Sequence, residues 1–481
     1  MHPLAKLDHR YVWHPFTQMR DWLKTEPRVI VAGNGAMLRD ARGREYLDAN
    51  SSIWTNLHGH NHPRLNAAIE TQSRKIAHSS ALGLANEPGS LLAKELLNAV
   101  NGPPNLSREQ GPALGKVFFS DDGSTAMEVA LKLAYEFVRR AGRSQKPRFL
   151  SLDSAYHGDT IGAVSLGQID LFHRRFSGLT FKTDKVMAPY CYRCPYNRAK
   201  PERADAREYR KCNWECLDVL ETKFRRARQQ GNRYAAFVFE PLMQGAAGMI
   251  PQPAGWLRRA AGIARGYGAL LIADEVMTGF GRTGFGGPVG AAKGRTTPLL
   301  FACQKEGVKP DFMALAKGLT GGYLPMAATL TTQAVFDAFL GDYAEFKTFF
   351  HGHSFTANQL GAAAALENLK LLHAANCVRA RRRIEQTLRD ELRKLWAFPQ
   401  VGDIRQTGLV AGIELVRTWG TREAFDLREQ AGVRVCEAMA RRGVLTRPIG
   451  NVLVLMPPYC ATIDQVRRMV RVAGDAIAGT F

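Results

Sequence analysis

The chain has 481 residues, of which 45% are hydrophobic and 23% charged, a balance typical of a folded protein with more than one domain. It has no run of about 18 uncharged apolar residues, and its start lacks the apolar middle section of a secretory signal. We therefore expect no membrane partner and a cytoplasmic location. The formal net charge of +21 raises the possibility of nucleic-acid binding, but the basic residues are scattered and no recognition motif accompanies them. We expect no nucleic-acid partner.

The first 65 residues carry hairpin-like pieces, and we expect them to form the N-terminal part of a small domain. From residue 66 to 348, short apolar runs alternate with longer segments of helical pattern. This alternation predicts a large domain with a mixed, mostly parallel sheet covered by helices on both faces. The predicted strands are KVFFS, RFLSL, AAFVFE, ALLIAD and DFMALA, which begin at residues 116, 148, 235, 269 and 311.

Beyond residue 348 the pattern changes to a charged helix, two strand-like runs and a further helix. We predict that residues 349–481 complete a smaller α+β domain together with the N-terminal part. Two segments of the large domain look inserted: the cysteine-containing segment 186–216 and the Gly/Pro-rich loop 284–300. The predicted fold class is therefore α/β, with one large and one smaller domain.

Polar or charged side chains follow four of the predicted strands: Ser120 with Asp121, Glu240, Asp274 and Lys317. Ligands of parallel sheets bind outside the carboxyl ends of the strands, where such side chains converge. The sequence therefore predicts a binding site at this edge of the sheet.

Lys317 and Asp274 suggest the chemistry of that site. A lysine shielded from water beside a pocket loses its proton more readily and becomes a nucleophile toward carbonyl groups. Asp274 ends an apolar strand and needs a cationic partner, which the pyridinium nitrogen of pyridoxal phosphate would supply. The alternatives are that the ammonium group of Lys317 reaches water, and that Asp274 caps a helix or forms a structural ion pair.

The stretch "SDDGSTAMEVALKLA" offers a strand end, a turn at Gly123 and a helix that begins near Ser124. The free N–H groups and the dipole of such a helix start can hold a phosphate, although many Ser/Gly starts bind nothing. Tyr156 lies in a following loop, where its ring could stack on a flat cofactor or pack in the core.

Four cysteines form a separate pattern within the inserted segment. Cys191, Cys194, Cys212 and Cys216 stand as two close pairs, which is the spacing of a tetrahedral zinc site. The alternative is a surface excursion whose cysteines stay reduced. Because the predicted chemistry needs no metal, we assign no metal ligand to the site.

Taken together, the motifs resemble those of the class III aminotransferases, which are fold-type I enzymes dependent on pyridoxal 5'-phosphate. The resemblance runs in order along nearly the whole chain and rests on the segments "FSDDGSTAMEVALKLA", "YHGDT", "EPLMQGAAGM", "LLIADEVMTGFGRTG", "PDFMALAKGLTGGYLP" and "FFHGHSFTANQLGAAAALE". It implies that Lys317 binds the cofactor covalently and that Asp274 keeps the pyridine nitrogen protonated. It further implies that Gly123 and Ser124 hold the phosphate and that Tyr156 lies against the ring.

The resemblance also implies a homodimer whose active site is shared between subunits. His353 and Ser354 match a phosphate contact that the family takes from the partner subunit, and Gly352 falls on a substrate-contact position. Arg447 matches an arginine that receives the substrate carboxylate, a role that suits the fork of its guanidinium.

Within the class, "YVWHPFTQM", "SSIWTNLHGHNHP" and "GVLTRPIGNVLVLMPPY" resemble the branch that serves biotin synthesis, which implies 8-amino-7-oxononanoate as amino acceptor. Phe16, Ile53 and Trp54 would then line the substrate pocket. Phe16 and Ile53 replace aromatic residues common in members that use S-adenosylmethionine, so L-lysine is a rival amino donor. Another class III ω-aminotransferase is the alternative function. Asp122 replaces the usual serine and should weaken phosphate binding unless it points away from the phosphate or caps the helix.

Overall fold

The computed structural model describes residues 1–102, 111–167, 169–285 and 299–481. Most of the predicted loop 284–300, namely residues 286–298, lies outside the described residues. Within these ranges, no helix has the length and apolar character needed to cross a membrane.

The described residues form eighteen strands, arranged in four sheets. The strands are β1 (Ile30–Asn34), β2 (Met37–Asp40), β3 (Glu45–Asp48), β4 (Leu114–Ser120), β5 (Arg148–Leu152), β6 (Asp184–Val186), β7 (Tyr234–Phe239), β8 (Met243–Gln244), β9 (Ile250–Pro251), β10 (Leu270–Asp274), β11 (Phe312–Leu315), β12 (Ala327–Thr332), β13 (Val401–Thr407), β14 (Val410–Thr418), β15 (Glu423–Ala424), β16 (Val444–Leu445), β17 (Pro448–Ile449) and β18 (Val452–Leu455).

Helices connect and cover these strands. The right-handed α-helices span Pro3–Tyr11, Met19–Trp22, Pro63–Lys75, Glu87–Asn101, Gly123–Arg140, Ile161–Leu166, Asp170–His173, Ala206–Tyr209, Glu215–Gln229, Trp256–Gly266, Ala302–Glu306, Gln333–Asp337, Gln359–His373, Ala375–Leu392, Ala431–Arg441 and Ile463–Ala478. Short 3-10 helices span Arg174–Leu179, Cys191–Arg193, Lys317–Thr320, Tyr343–Glu345, Arg393–Ala397 and Leu427–Glu429. The helical turn Ser51–Trp54 has positive φ angles and is described below.

The largest sheet has seven strands in the order β4-β12-β11-β10-β7-β5-β6. β12 runs antiparallel to both of its neighbours, and the other adjacent pairs are parallel. Asp274, the last residue of β10, is in register with Ala314, which stands three residues before Lys317. The end of β10 therefore lies beside the end of β11. The predicted mixed, mostly parallel sheet is confirmed.

Both faces of this sheet are buried, which explains the continuous apolar runs of its strands. In β7, Phe237 and Phe239 belong to one core cluster, with Leu217, Leu220 and Trp256 from covering helices. The alternate residues Ala236 and Val238 belong to a second cluster, which the helix Gly123–Arg140 covers. Because successive side chains point to opposite faces, each strand needs apolar residues at nearly every position.

The smaller sheets combine residues from both ends of the chain. One has the order β1-β2-β3-β16, and β16 pairs with β3 in parallel, with Val444 opposite Leu47. A second contains β13, β14, β18 and β17, with β15 paired to β14. Residues before 65 therefore share a sheet with residues after 349, while the domain boundaries themselves stay a prediction.

Candidate active site

The carboxyl ends of the central strands open onto a cavity of about 420 Å³. The residue that follows β7, the last residue of β10 and the segment after β11 all line it. Six of the predicted site residues also contribute to its wall: Trp54, Gly123, Ser124, Tyr156, Asp274 and Lys317.

Lys317 begins a short 3-10 helix directly after β11 and has a left-handed φ of 45°. Asn368 fixes this helix by donating hydrogen bonds of 2.8 and 2.9 Å to the carbonyls of Gly318 and Leu319. Burial lowers the pKa of the Lys317 amine, an effect that the carboxylates of Asp274 and Glu240 oppose. A lower pKa increases the fraction of uncharged amine, which is the form that attacks carbonyls and accepts protons.

Asp274 is only 5% exposed and is held from two sides. Its Oδ2 lies 2.8 Å from Nδ1 of His157, and its Oδ1 accepts the N–H of Val276 at 3.0 Å. The second ring nitrogen of His157 is buried and has no hydrogen-bond partner among the described residues. This pair gives the cavity a fixed carboxylate that is ready to face a cationic group.

Glu240 is a second buried carboxyl group at the same edge. Its Oε1 accepts the N–H of Tyr156 at 3.2 Å and its Oε2 the N–H of Gly245 at 2.8 Å, so it joins two loops of the site. Burial raises the pKa of Glu240 to about 7, with a further contribution from Asp274 and an opposing one from His157. The group therefore titrates near neutral pH.

The turn after β4 starts the helix Gly123–Arg140. Asp122 caps this helix: its side chain accepts the N–H of Thr125 at 2.9 Å, and the Thr125 hydroxyl accepts the Asp122 N–H, also at 2.9 Å. A Cβ at Gly123 would lie 2.8 Å from Val276 Cγ1, so only glycine fits there. The N–H groups of Gly123 and Ser124 belong to the first helical turn, which leaves them without acceptors inside the helix.

Comparison with known proteins gives one consistent answer for the family of this chain. The family profile Aminotransferase class-III matches residues 20–477. The chain is a class III aminotransferase. A relative from Geobacter sulfurreducens, named adenosylmethionine-8-amino-7-oxononanoate aminotransferase, is 46% identical over 97% of this chain and 95% of its own length. A relative of the same name from Nitratidesulfovibrio vulgaris is 44% identical over 98% of this chain and 81% of its own length.

Solved structures agree with this assignment. The adenosylmethionine-8-amino-7-oxononanoate aminotransferase of Methanocaldococcus jannaschii matches with a TM-score of 0.86 and 37% identity, over 99% of this chain and 98% of that one. The omega transaminase of Pseudomonas jessenii, solved in complex with PMP, also has a TM-score of 0.86, at 27% identity over 100% of this chain and 98% of that one. The fold is thus that of the fold-type I transferases.

The cofactor of class III aminotransferases is pyridoxal 5'-phosphate, and the cavity of this aminotransferase fits it. Lys317 presents a buried amine, and Asp274 presents a buried carboxylate fixed by His157. The missing Cβ of Gly123 leaves room at the helix start, where free N–H groups suit a phosphate. Tyr156 adds an aromatic wall, with its hydroxyl bonded to Asp159 at 2.6 Å and its ring stacked 6.0 Å from that of His173.

The structure brings two predicted substrate residues together at the edge of the site. Nη2 of Arg447 donates to the carbonyl of Phe16 at 3.1 Å. The Phe16 ring meets Phe172 edge-on at 5.3 Å, and Phe172 in turn lies 6.3 Å from Tyr156. Ile53 is 46% exposed and lies beside Trp54 without lining the cavity.

Three predicted site residues lie outside the cavity lining of their own chain: His353 and Ser354, which are predicted to contact the phosphate of the partner subunit, and Gly352, which is predicted to contact substrate. Nδ1 of His353 is 3.3 Å from Asp121, at the cavity edge. The carbonyl of Ser354 lies 2.9 Å from Nε2 of His78. A Cβ at Gly352 would meet nothing within 4 Å.

The cysteine-containing segment is held by arginines. Arg193 pairs with Glu414 at 2.5 Å, and Arg207 donates to the carbonyl of Gln406 at 2.6 Å, so the segment is anchored to β13 and β14. All four cysteines are unpaired, and burial raises the pKa of Cys191 to about 12. Across the ranges that the structure describes, no three His, Cys, Asp or Glu side chains form a group that could hold a metal ion.

Sequence reasoning missed two polar residues of the site. His157 stood inside the quoted motif "YHGDT", but only its neighbour Tyr156 was selected. Glu240 was recognised as a polar residue at a strand end and was then given no role. Its position directly after β7, beside the strand that ends in Asp274, was the signal that could have found it.

Proposed function

We propose that this aminotransferase transfers an amino group to 8-amino-7-oxononanoate and so forms 7,8-diaminononanoate in biotin synthesis. The supporting observation is that relatives at 46% and 44% identity, aligned over nearly the whole chain, carry this acceptor in their names. A class III ω-aminotransferase with another substrate is the alternative, supported by the Pseudomonas jessenii structure at the lower identity of 27%.

When bound, pyridoxal 5'-phosphate supplies an electrophilic carbon and a ring that accepts electrons. Asp274, oriented by His157, would hold a proton at the ring nitrogen. Lys317, in its uncharged form, takes a proton from the carbon that bears the donor amine and returns a proton in the reverse direction for the acceptor. Gly123 and Ser124 hold the phosphate with backbone N–H groups.

Two aromatic side chains and one arginine would contact the substrate. Trp54 and Tyr156 line the cavity and exclude water from Lys317. Arg447 is exposed at the edge, and the donors that remain beside its bond to the Phe16 carbonyl would receive the carboxylate of the acceptor. The arginine thereby fixes which end of the acceptor faces Lys317.

For the amino donor we propose S-adenosylmethionine, because the names of the relatives include it. L-Lysine is the second candidate, and a specific observation favours it. Phe16 and Ile53 lack the hydroxyl and the broad aromatic surface that an adenosyl group would contact, and both are about half exposed. L-Lysine is smaller and aliphatic, so it needs neither of these contacts.

We further propose a homodimer in which His353 and Ser354 approach the phosphate of the partner subunit, and a cytoplasmic location. The segment around Gly352 exposes large apolar side chains that a second copy would cover. Tyr343, Phe346, Phe350 and Phe355 are each more than half exposed. Sedimentation equilibrium of the purified protein tests the dimer, and a monomer at micromolar concentration contradicts it.

Turnover of the cofactor-loaded enzyme tests the proposed function. We expect 7,8-diaminononanoate by mass spectrometry when 8-amino-7-oxononanoate is supplied with one of the two donors. Because one site serves donor and acceptor in turn, double-reciprocal plots should give parallel lines. The control supplies ornithine or another ω-amino acid as donor and a 2-oxo acid as acceptor, in place of 8-amino-7-oxononanoate. Turnover with these and none with 8-amino-7-oxononanoate would favour the alternative.

A further inference from the structure

Residues Ser51–Trp54 adopt an unusual backbone beside the active site. Their φ angles are 47°, 47°, 60° and 70°, all in the left-handed region. The N–H of Trp54 donates to the carbonyl of Asn50 at 2.9 Å and that of Thr55 to Ser51 at 3.0 Å, which closes the turn. Left-handed helical turns are unfavourable for L-residues, and most of all for a β-branched residue such as Ile53. Other contacts must therefore hold this turn in place.

Asp48, the last residue of β3, supplies several of these contacts. Its Oδ1 accepts the N–H groups of Asn50 and Ser52 at 3.2 and 3.1 Å. Its Oδ2 accepts the hydroxyl of Ser52 at 2.9 Å and lies 3.1 Å from Nε2 of His60. Burial raises the pKa of Asp48, but the hydrogen bonds from His60 and Ser52 outweigh this effect and leave the pKa below its ordinary value, so the group is an ionised acceptor.

The ends of the turn are fixed by two other residues. The hydroxyl of Ser51 donates to the carbonyl of Met456 at 2.6 Å. The buried guanidinium of Arg282 donates to the carbonyls of Asn56 at 2.8 Å and Trp54 at 3.4 Å. Asp48 binds the N–H groups of Asn50 and Ser52, on either side of Ser51, where the positive φ angles begin.

The hand of the turn decides where the Trp54 side chain points, because the Cα–Cβ direction follows the local backbone. The Trp54 ring centroid lies 4.5 Å from Nζ of Lys317. A Cβ at Gly245 would come within 3.2 Å of Trp54 Cζ3. The ring is thus close to both Lys317 and the loop that carries Gly245.

We propose that Asp48 is a positioning residue for substrate binding, which holds the left-handed turn Ser51–Trp54 and so directs the Trp54 ring into the cavity beside Lys317. This inference rests on the proposed function, in which Trp54 forms a wall of the substrate pocket. Asp48 lies outside the cavity lining and acts through the backbone of the turn.

Asp40 provides a matched control within the same sheet. Like Asp48 it is 3% exposed, ends a strand and accepts two backbone N–H groups, here from Arg42 and Arg44 at 2.9 and 3.0 Å. It also accepts a hydroxyl, that of Tyr46, at 2.9 Å. The turn that it holds does not line the cavity, so its loss should affect folding without affecting substrate binding.

The first experiment measures amide hydrogen exchange over residues 49–56 in the cofactor-free protein. We expect Asp48→Ala to speed exchange in this segment about tenfold or more, and Asp40→Ala to leave it unchanged. Unchanged exchange in Asp48→Ala overturns the inference whatever the substrate proves to be. This readout does not depend on turnover, so it can fail or succeed separately from the proposed function.

The second experiment is a double-mutant cycle on the cofactor-loaded enzyme. We expect Asp48→Ala to raise the KM for 8-amino-7-oxononanoate about tenfold, with kcat changed less than about threefold and the visible cofactor spectrum intact. Asp40→Ala should leave this KM unchanged.

Because glycine adopts positive φ freely, Asp48→Ala should raise KM much less in an Ile53→Gly background than in the wild type. Equal effects in the two backgrounds, or an unchanged KM, overturn the inference. If the wild type does not use this acceptor at all, the proposed function fails, and the exchange measurement alone decides the role of Asp48.

Discussion

Two groups of buried charges in this molecule differ in how their charges are balanced. Around Arg405, Nη1 lies 2.9 Å from Asp403 and 2.6 Å from Glu414, and Nε donates to the carbonyl of Met249 at 2.8 Å. Around Lys317, no carboxylate among the described residues lies within ion-pair distance. We call the first group the Arg405 cluster.

The difference separates a structural role from a catalytic one. In the Arg405 cluster the opposite charges form ion pairs with each other, and the hydrogen bonds of Arg405 connect β13 and β14 to the Gly248–Met249 loop. In the active site the charged groups surround a cavity, and their pKa values are moved toward the neutral range, as for Lys317 and Glu240. Buried groups that are left without partners of opposite charge indicate a ligand that completes them.

Lys317→Ala should give the largest effect. Removing the amine removes the group that transfers protons, so we expect turnover to fall by at least about a thousandfold, while the fold is retained. The matched control is Lys305→Met. Lys305 is a buried lysine outside the cavity, and burial lowers its pKa to about 8. This control should retain turnover per folded molecule, and a Lys317→Ala variant with normal turnover would rule out the proposed chemistry.

Arg405→Met should damage the structure instead. It leaves Asp403 buried without a cation and Glu414 with Arg193 alone, which costs about 3–5 kcal/mol in the free energy of unfolding measured by urea titration. The exposed pair of Arg417 and Glu429 is the control, since the side chain of Arg417 is 45% exposed. Arg417→Ala should cost less than about 1 kcal/mol. Equal losses for the two variants would mean that the Arg405 cluster does not stabilise the fold.

Much of the large domain was predictable from the sequence, because its strands are apolar on both faces. All five predicted strands exist, and that at 148–152 has the predicted bounds. The antiparallel strand β12 was missed. Its sequence AATLTT has only one large apolar residue, Leu330, and its direction depends on its neighbours β4 and β11.

The site was predictable only where it depends on strand ends. Asp274 and Lys317 follow from the sheet, since adjacent parallel strands end at the same edge. The contact of His157 with Asp274 depends on how the loop after β5 folds back over the sheet, which no local pattern shows. The left-handed turn was unpredictable for a different reason: Ile53 is β-branched and argues against a positive φ.

Glu240 should make stability depend on pH. Its pKa is raised from the ordinary 4.5 to about 7 by burial, so the folded state binds its proton more tightly than the unfolded state does. The stabilising contribution is fully present below pH 4.5 and is lost as the pH rises to about 7. We therefore expect the wild type to lose about 3 kcal/mol relative to Glu240→Gln between pH 4.5 and 8.

Urea titrations of both proteins across this range measure that difference. His157, Asp274 and Lys317 face this region in both proteins, so the comparison with Glu240→Gln isolates the contribution of Glu240. The visible spectrum of the cofactor, followed over the same pH range, shows that the site stays loaded. Parallel stability curves for the two proteins would show that Glu240 is ionised throughout.

Asp122 should give the smallest effect, because its charge is used in capping the helix Gly123–Arg140. Serine caps helices about as well as aspartate, so Asp122→Ser should leave the free energy of unfolding within about 0.5 kcal/mol of the wild type. Asp122→Ala, which cannot cap, should cost about 1 kcal/mol.

Removing the negative charge next to a bound phosphate should tighten cofactor binding by about two- to fivefold in Asp122→Ser, measured by titration of the cofactor-free protein. Weaker binding in this variant would mean that the Asp122 carboxylate supports the phosphate turn more than its charge repels the phosphate.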